Sequence, residues 1–211
     1  MKNDTIGRGG DMMIYFLSVL FGYLLGSIPF ALVIGKLFYH TDIRQYGSGN
    51  LGGTNAGRVL GKKAGISVIV LDALKAFIPV GIVSIYSQDA SIWCGLAVCV
   101  GHCFPIFAHF KGGKAAASMF GFLLAIALFT THNWLCFVLP LAAFFITLFL
   151  SKMVSLSSMI AAVASTISLF IIQAPILVLI ASALLDILVI TRHIPNIRRI
   201  MNHTESKVKW L

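Results

Sequence analysis

The sequence predicts an all-α integral membrane protein, about seven transmembrane helices gathered in one bundle with its motif-bearing loops on the cytoplasmic side. Three observations carry this expectation. The mean hydropathy of the 211 residues is +0.94 and only 11% of them are charged, whereas a soluble domain carries about 25%. Long apolar runs alternate with short polar breaks. The basic residues fall in every second break.

Taken in order, residues 1–12 form a polar N-terminal extension, expected to be external and disordered. The apolar stretch behind it is too long for a signal-peptide core, so no cleavable leader is expected. Residues 13–211 form a single polytopic domain. Its spans are expected at about 13–35, 65–86, 91–108, 116–131, 134–150, 154–172 and 175–191, taking roughly 17–25 residues as a spanning length. Several are near the short limit, and five spans with re-entrant segments also fit. Gly22 and Gly26 in the first span make a small-xxx-small pair, which reads as close helix packing.

Charge fixes the expected orientation. Breaks 36–63, 109–114, 151–153 and 192–211 carry +4, +2, +1 and +4, while the alternate breaks and the N-terminal tail together carry −1. Positive loops stay inside, which places the N-terminus outside and the C-terminus in the cytoplasm. The overall charge of +9 is therefore an orientation signal, with attraction to anionic membrane lipids or phosphorylated substrates as a second role. It does not point to nucleic acid.

The first cytoplasmic loop contains GSGNLGGTNAGR, Gly47 to Arg58. Ser48, Gly49, Asn50, Gly52, Thr54, Asn55 and Arg58 give it a density of backbone N–H groups and small polar side chains that suits a phosphate or another oxyanion. The formal GxGxxG match is not a dinucleotide fingerprint, because no strand precedes it. The second loop ends in Lys111-Gly112-Gly113-Lys114. Two ammonium groups beside a helix start also suit an anion; Ala115 replaces the Ser or Thr of a Walker A motif. His102 precedes this loop. It reads either as a packed, hydrogen-bonded residue or as an acid–base group.

RHIPNIRR, Arg192 to Arg199, follows the last span. It reads as a basic, headgroup-binding flank, yet His193 and Asn196 would share a helical face, with Pro195 in a first turn. SLSS, Ser155 to Ser158, opens the sixth span, where small hydroxyls serve packing and capping or line a site. Asp72, Lys75 and Asp186 lie inside spans, where ionisable groups are costly. Asp72 and Lys75 are spaced to pair. Asp186 reads as a partner for a loop cation or as a packing group. Cys94, Cys99, Cys103 and Cys136 read as buried thiols. No metal site is expected, since Cys99, His102 and Cys103 lack further ligands.

These motifs in this order, GSGNLGGTNAGR with LDALK, GHCFPIFAHFKGGK, SLSS and RHIPNIRR followed by Glu205, resemble the bacterial acyl-phosphate:glycerol-3-phosphate acyltransferases, the PlsY family. The resemblance spans nearly the whole chain. It implies a seven-helix bundle in the bacterial cell membrane. There a fatty acyl group would pass from acyl phosphate to the sn-1 hydroxyl of glycerol 3-phosphate, giving lysophosphatidic acid and phosphate. No cofactor is implied, and the chain lacks the His-x4-Asp signature of the other large glycerolipid acyltransferase class.

By that resemblance, Arg58 and Lys111 or Lys114 hold glycerol phosphate, and Ser48 with Gly49, Asn50 and their neighbours contacts acyl phosphate. Gly112 and Gly113 belong to the same binding loop. Ser158, His193 and Asn196 complete the polar site. His102, His193 or a substrate phosphate takes the proton. The chain departs from the family pattern at Ala115, where Gly is usual, and at Ile194 and His203, where Arg and Gly are usual. A non-enzymatic relative, a small transporter or a phosphate- or lipid-binding membrane protein, is the competing expectation.

Overall fold

A computed structural model describes residues 7–208, with side chains from Met12 onward. Of the predicted N-terminal extension, residues 1–6 lie outside the described residues, and the rest joins the first helix. That helix, α1 (Gly7–Gly26), breaks at Pro29, whose missing N–H cannot continue a helix, and resumes as α2 (Phe30–Tyr39). The short α3 (Gly53–Val59) follows, then α4 (Lys62–Ser84), α5 (Gln88–Cys103), α6 (Ala116–Phe129), α7 (Leu135–Ser151), α8 (Val154–Ile171), α9 (Ile176–Arg192) and α10 (Ile194–Met201). Among the described residues there is no strand.

Four segments are long and apolar enough to cross a membrane: Met12–Tyr39, Lys62–Ser84, Gln88–Ala108 and Val154–Ile171. A fifth is the pair α9 and α10, bent by 56° at His193. Helices α6 and α7 are apolar but shorter. The sevenfold count expected from sequence therefore becomes four or five by length and composition.

Helix α6 is the axis of the bundle. It is apolar all round, which suits a helix surrounded by others. Met119, Phe122, Leu123 and Ile126 are fully buried. Small residues let its neighbours approach. A Cβ on Gly121 would overlap the Ala73 backbone of α4, and one on Gly95 would overlap Phe122. The Gly22–Gly26 pair does the same for α1 against α5, where Cβ atoms would collide with the Cys94 and Val98 carbonyls. Of the ionisable groups inside spans, two pair with each other. Asp72 and Lys75 sit 2.8 Å apart, and Lys75 also donates to the Ile28 carbonyl at the α1–α2 break, 3.0 Å away. Asp186 is a packing group, accepting from Thr166 at 2.7 Å.

Candidate active site

Three chain segments converge at one end of the bundle. The first is the loop between α2 and α3. Asp42 caps a turn over Ile43–Gln45 and chelates the Arg44 guanidinium, with contacts of 2.5 to 3.2 Å. That guanidinium holds the Asp42 carboxyl down at about 2. Gly47 and Gly49 adopt left-handed φ of 61° and 67°, which a side chain would strain. Asn55, buried, staples the loop. Its Oδ1 accepts from the Ser48 N–H at 2.9 Å, and its Nδ2 donates to the Ile43 and Tyr46 carbonyls. Both ends of that amide are used internally.

The second segment is the Lys111–Lys114 loop. Lys111 is exposed, Gly112 and Gly113 are buried, and Lys114 is half-buried. Burial, then the charge of Arg199, lowers Lys114 to about 8. Arg58, exposed on α3, lies near enough to add to that depression. The two glycines are not left-handed. They are needed because a Cβ on either would collide with His102.

The third is the corner between α9 and α10. Helix α9 ends at Arg192, and the backbone turns so that His193 and Asn196 both point inward, 3% and 4% exposed. Lys114 donates its Nζ to Asn196 Oδ1. Asn196 Nδ2 donates to Glu205 at 2.7 Å, so both neighbours fix the amide's orientation. Glu205 also accepts from Ser155 at 2.6 Å and Arg199 at 2.7 Å. Burial opposes its charge, but the donors Ser155, Asn196 and Arg199 outweigh it and keep the carboxyl below its usual range. His193 is pushed down to about 4, chiefly by burial. Its Nδ1 lies 2.7 Å from the Val189 carbonyl. That contact requires the proton on Nδ1 and leaves the lone pair on Nε2.

Between these segments lies a cleft of about 410 Å³. Ser48 and Asn50 line it from the first loop, Lys114 from the second, and Arg192, Asn196, Arg198 and Arg199 from the corner. Other expected site residues, His193, Arg58 and Lys111 among them, do not line it. Ser158 is buried with its Oγ on the Val154 carbonyl, 2.9 Å away. His102 is buried behind Gly113, and Thr54 is exposed on α3. Sequence reasoning missed Arg192, Arg198, Arg199 and Glu205 as site residues, and within SLSS it named Ser158 where Ser155 makes the contact. The three arginines were visible only as a basic flank.

A bundle of apolar helices with one cation-lined, glycine-backed cleft at its end is an integral membrane protein built to handle phosphorylated molecules. The comparisons with known proteins narrow that class. The chain belongs to the glycerol-3-phosphate acyltransferase family, whose model matches residues 16–203. It is 46% identical over 200 residues to the glycerol-3-phosphate acyltransferase of Bacillus cytotoxicus, covering 94% of this chain and 98% of that protein. The Bacillus subtilis enzyme of the same name is also 46% identical, with 94% and 100% covered. The fold matches the crystal structure of PlsY, an integral membrane glycerol 3-phosphate acyltransferase, in its glycerol 3-phosphate form, with a TM-score of 0.86 and 36% identity over 92% of this chain and 95% of that one. Against the lysophosphatidic acid form the TM-score is 0.83 and the identity 35%, with 92% and 94% covered.

Proposed function

We propose that this chain transfers a fatty acyl group from acyl phosphate to the sn-1 hydroxyl of glycerol 3-phosphate, releasing lysophosphatidic acid and phosphate. Its family are glycerol-3-phosphate acyltransferases, and related structures exist in glycerol 3-phosphate and lysophosphatidic acid forms. The observation that carries the reading is the cleft, in which Lys114, Arg192, Arg198 and Arg199 face Ser48 and Asn50. Two phosphorylated substrates require that much positive charge in one place.

Acyl phosphate is a mixed anhydride with a good leaving group, so positioning and charge neutralisation suffice without a covalent intermediate. Arg58 and Lys114 hold the glycerol phosphate, with Lys111 at the loop's exposed end. Ser48, Asn50 and the neighbouring N–H groups of the glycine loop hold the acyl phosphate. The hydroxyl oxygen attacks the acyl carbon and its proton passes to Nε2 of His193. The bond to the phosphate oxygen breaks, and phosphate leaves with the electron pair. Asn196 keeps Lys114 in place, and Ser158 supports the α8 end of the site.

The same reading has all seven apolar segments crossing a bacterial plasma membrane, N-terminus outside and cleft in the cytoplasm. Lys114 ahead of α6 and Ser155 at the start of α8 both join the Asn196–Glu205 network. That both ends of the α6–α7 unit lie at one end of the bundle supports a reading in which the two helices leave it and return as a crossing pair. The basic breaks share the cleft's end, as the positive-inside rule requires. Rescue of a bacterial strain lacking its acyl-phosphate-dependent acyltransferase tests the function. Growth is expected with this chain and not with its Arg58→Ala variant. A folded, membrane-inserted chain that fails to rescue contradicts it.

A further inference from the structure

The Gly112–Gly113 backbone is gripped from two sides. On the inner side is His102, 6% exposed. Its carbonyl accepts the Gly113 N–H at 2.9 Å, and its ring occupies the space where a Gly113 side chain would lie, with Nε2 nearest. The ring is itself backed by the buried Asp72–Lys75 pair, with Nδ1 3.5 Å from Asp72 Oδ1. On the outer side is Arg192, which stacks on Phe104 at 5.0 Å and donates to the carbonyls of Gly113 and Gly112 at 3.1 and 3.2 Å. The residue that emerges from this grip is Lys114, which lines the cleft and reaches Asn196.

We infer that His102 is a positioning residue. Its ring, held by Asp72, is the rigid floor that sets the Gly112–Gly113 backbone and so aims Lys114 at the substrate phosphate. The ring's two nitrogens face Asp72 and Gly113, so both are turned to neighbours within the fold. It therefore acts through the loop and takes no proton from substrate. A lysine whose ammonium is displaced by about 1 Å loses much of its grip on a phosphate, an effect of up to about a hundredfold. This role rests on the acyltransferase reading above.

His102→Asn is the informative change. The shorter amide keeps a polar group toward Asp72 and vacates the place of Nε2. Its KM for glycerol 3-phosphate is expected to rise about tenfold with kcat within about threefold. Gly113→Ala in the parent chain collides with the ring and raises KM as well. Placed together with His102→Asn, the new methyl enters the vacated space, and KM falls below that of either single variant. His102→Gln, whose amide again reaches Gly113, is expected to keep KM within about threefold of the parent, and melting temperatures confirm that each variant is folded. Loss of kcat at unchanged KM in His102→Asn or His102→Gln would make His102 a catalytic base and overturn the inference. So would simple multiplication of the two single effects in the double variant. If the parent chain itself makes no lysophosphatidic acid, the acyltransferase reading has failed. The positioning claim is then read from glycerol 3-phosphate titrations of the same variants: dissociation constants that follow the KM pattern above support it, and ones unmoved by His102→Asn overturn it.

Discussion

Lys114 and Asn196 lie 82 residues apart in the chain and meet across the cleft, ammonium to amide oxygen, while the other end of that amide is held by Glu205 at 2.7 Å. The lysine is thus aimed by two residues it does not precede or follow in sequence. It is also half-buried among arginines, which makes its charge conditional.

With its ordinary value lowered to about 8, Lys114 is charged below that pH and neutral above it. The KM for glycerol 3-phosphate is therefore expected to rise as pH passes through about 8. The Lys114→Arg variant stays charged throughout, so its KM should show no such bend. Initial rates between pH 6.5 and 9.5, a range chosen to bracket the lysine, check this. A bend of equal size in both proteins would assign it to another group.

His193 is neutral above about 4 and carries its free lone pair on Nε2. Replacement by Gln should lower kcat by about two to three orders of magnitude with little change in either KM, the signature of a group used in the transition state. Glycerol 3-phosphate itself titrates at about pH 6, so the deciding measurement is the variant's kcat. An unchanged kcat in His193→Gln would show that His193 is not the proton acceptor.

Glu205 ties the C-terminal tail to Ser155, Asn196 and Arg199. Its Ala variant leaves three donors without their acceptor, at a cost of about 2–4 kcal/mol, visible as a lower melting temperature in detergent. The folded carboxyl sits below the usual glutamate value of 4.5. Its contribution is therefore complete above that pH and is lost as pH falls toward the folded value. The parent should lose melting temperature on acidification below 4.5, and Glu205→Ala should lose less.

Ala115 stands at φ 61° at the start of α6, fully buried in the core. Left-handed backbone costs a non-glycine residue about 1–2 kcal/mol. Glycine's extra freedom in the unfolded chain and the lost methyl recover about the same amount. Ala115→Gly should therefore move stability by less than about 1 kcal/mol. The methyl points into the core, so KM for glycerol 3-phosphate should stay within about threefold. Titrations and melting curves of the two proteins side by side decide it.

Much of this was legible in the sequence, and what was legible is local. The i,i+3 pair of Asp72 and Lys75, the packing role of Gly22 and Gly26, and the left-handed glycines of the first loop follow from spacing and residue type. So did the three loops that carry the cleft. The Lys111–Lys114 loop reads as an anion site from its two ammonium groups at a helix start, while the His102 ring that leaves no room for a side chain on Gly113 is a tertiary contact the sequence does not display. Ser155 and Glu205, separated by 50 residues, carry no local signal of each other. Arg192, Arg198 and Arg199 were hidden because a basic flank after a span has a sufficient explanation in membrane orientation. Helices α6 and α7 are apolar but fall short of the length of the other spans, so hydropathy alone divides the chain into more spans than helix length supports.

The most direct measurement is phosphate release by the purified protein given palmitoyl phosphate, with and without glycerol 3-phosphate. We expect release only when both are present, with lysophosphatidic acid formed in equal amount. A folded protein that releases no phosphate with both substrates, or releases it equally without glycerol 3-phosphate, would contradict the account.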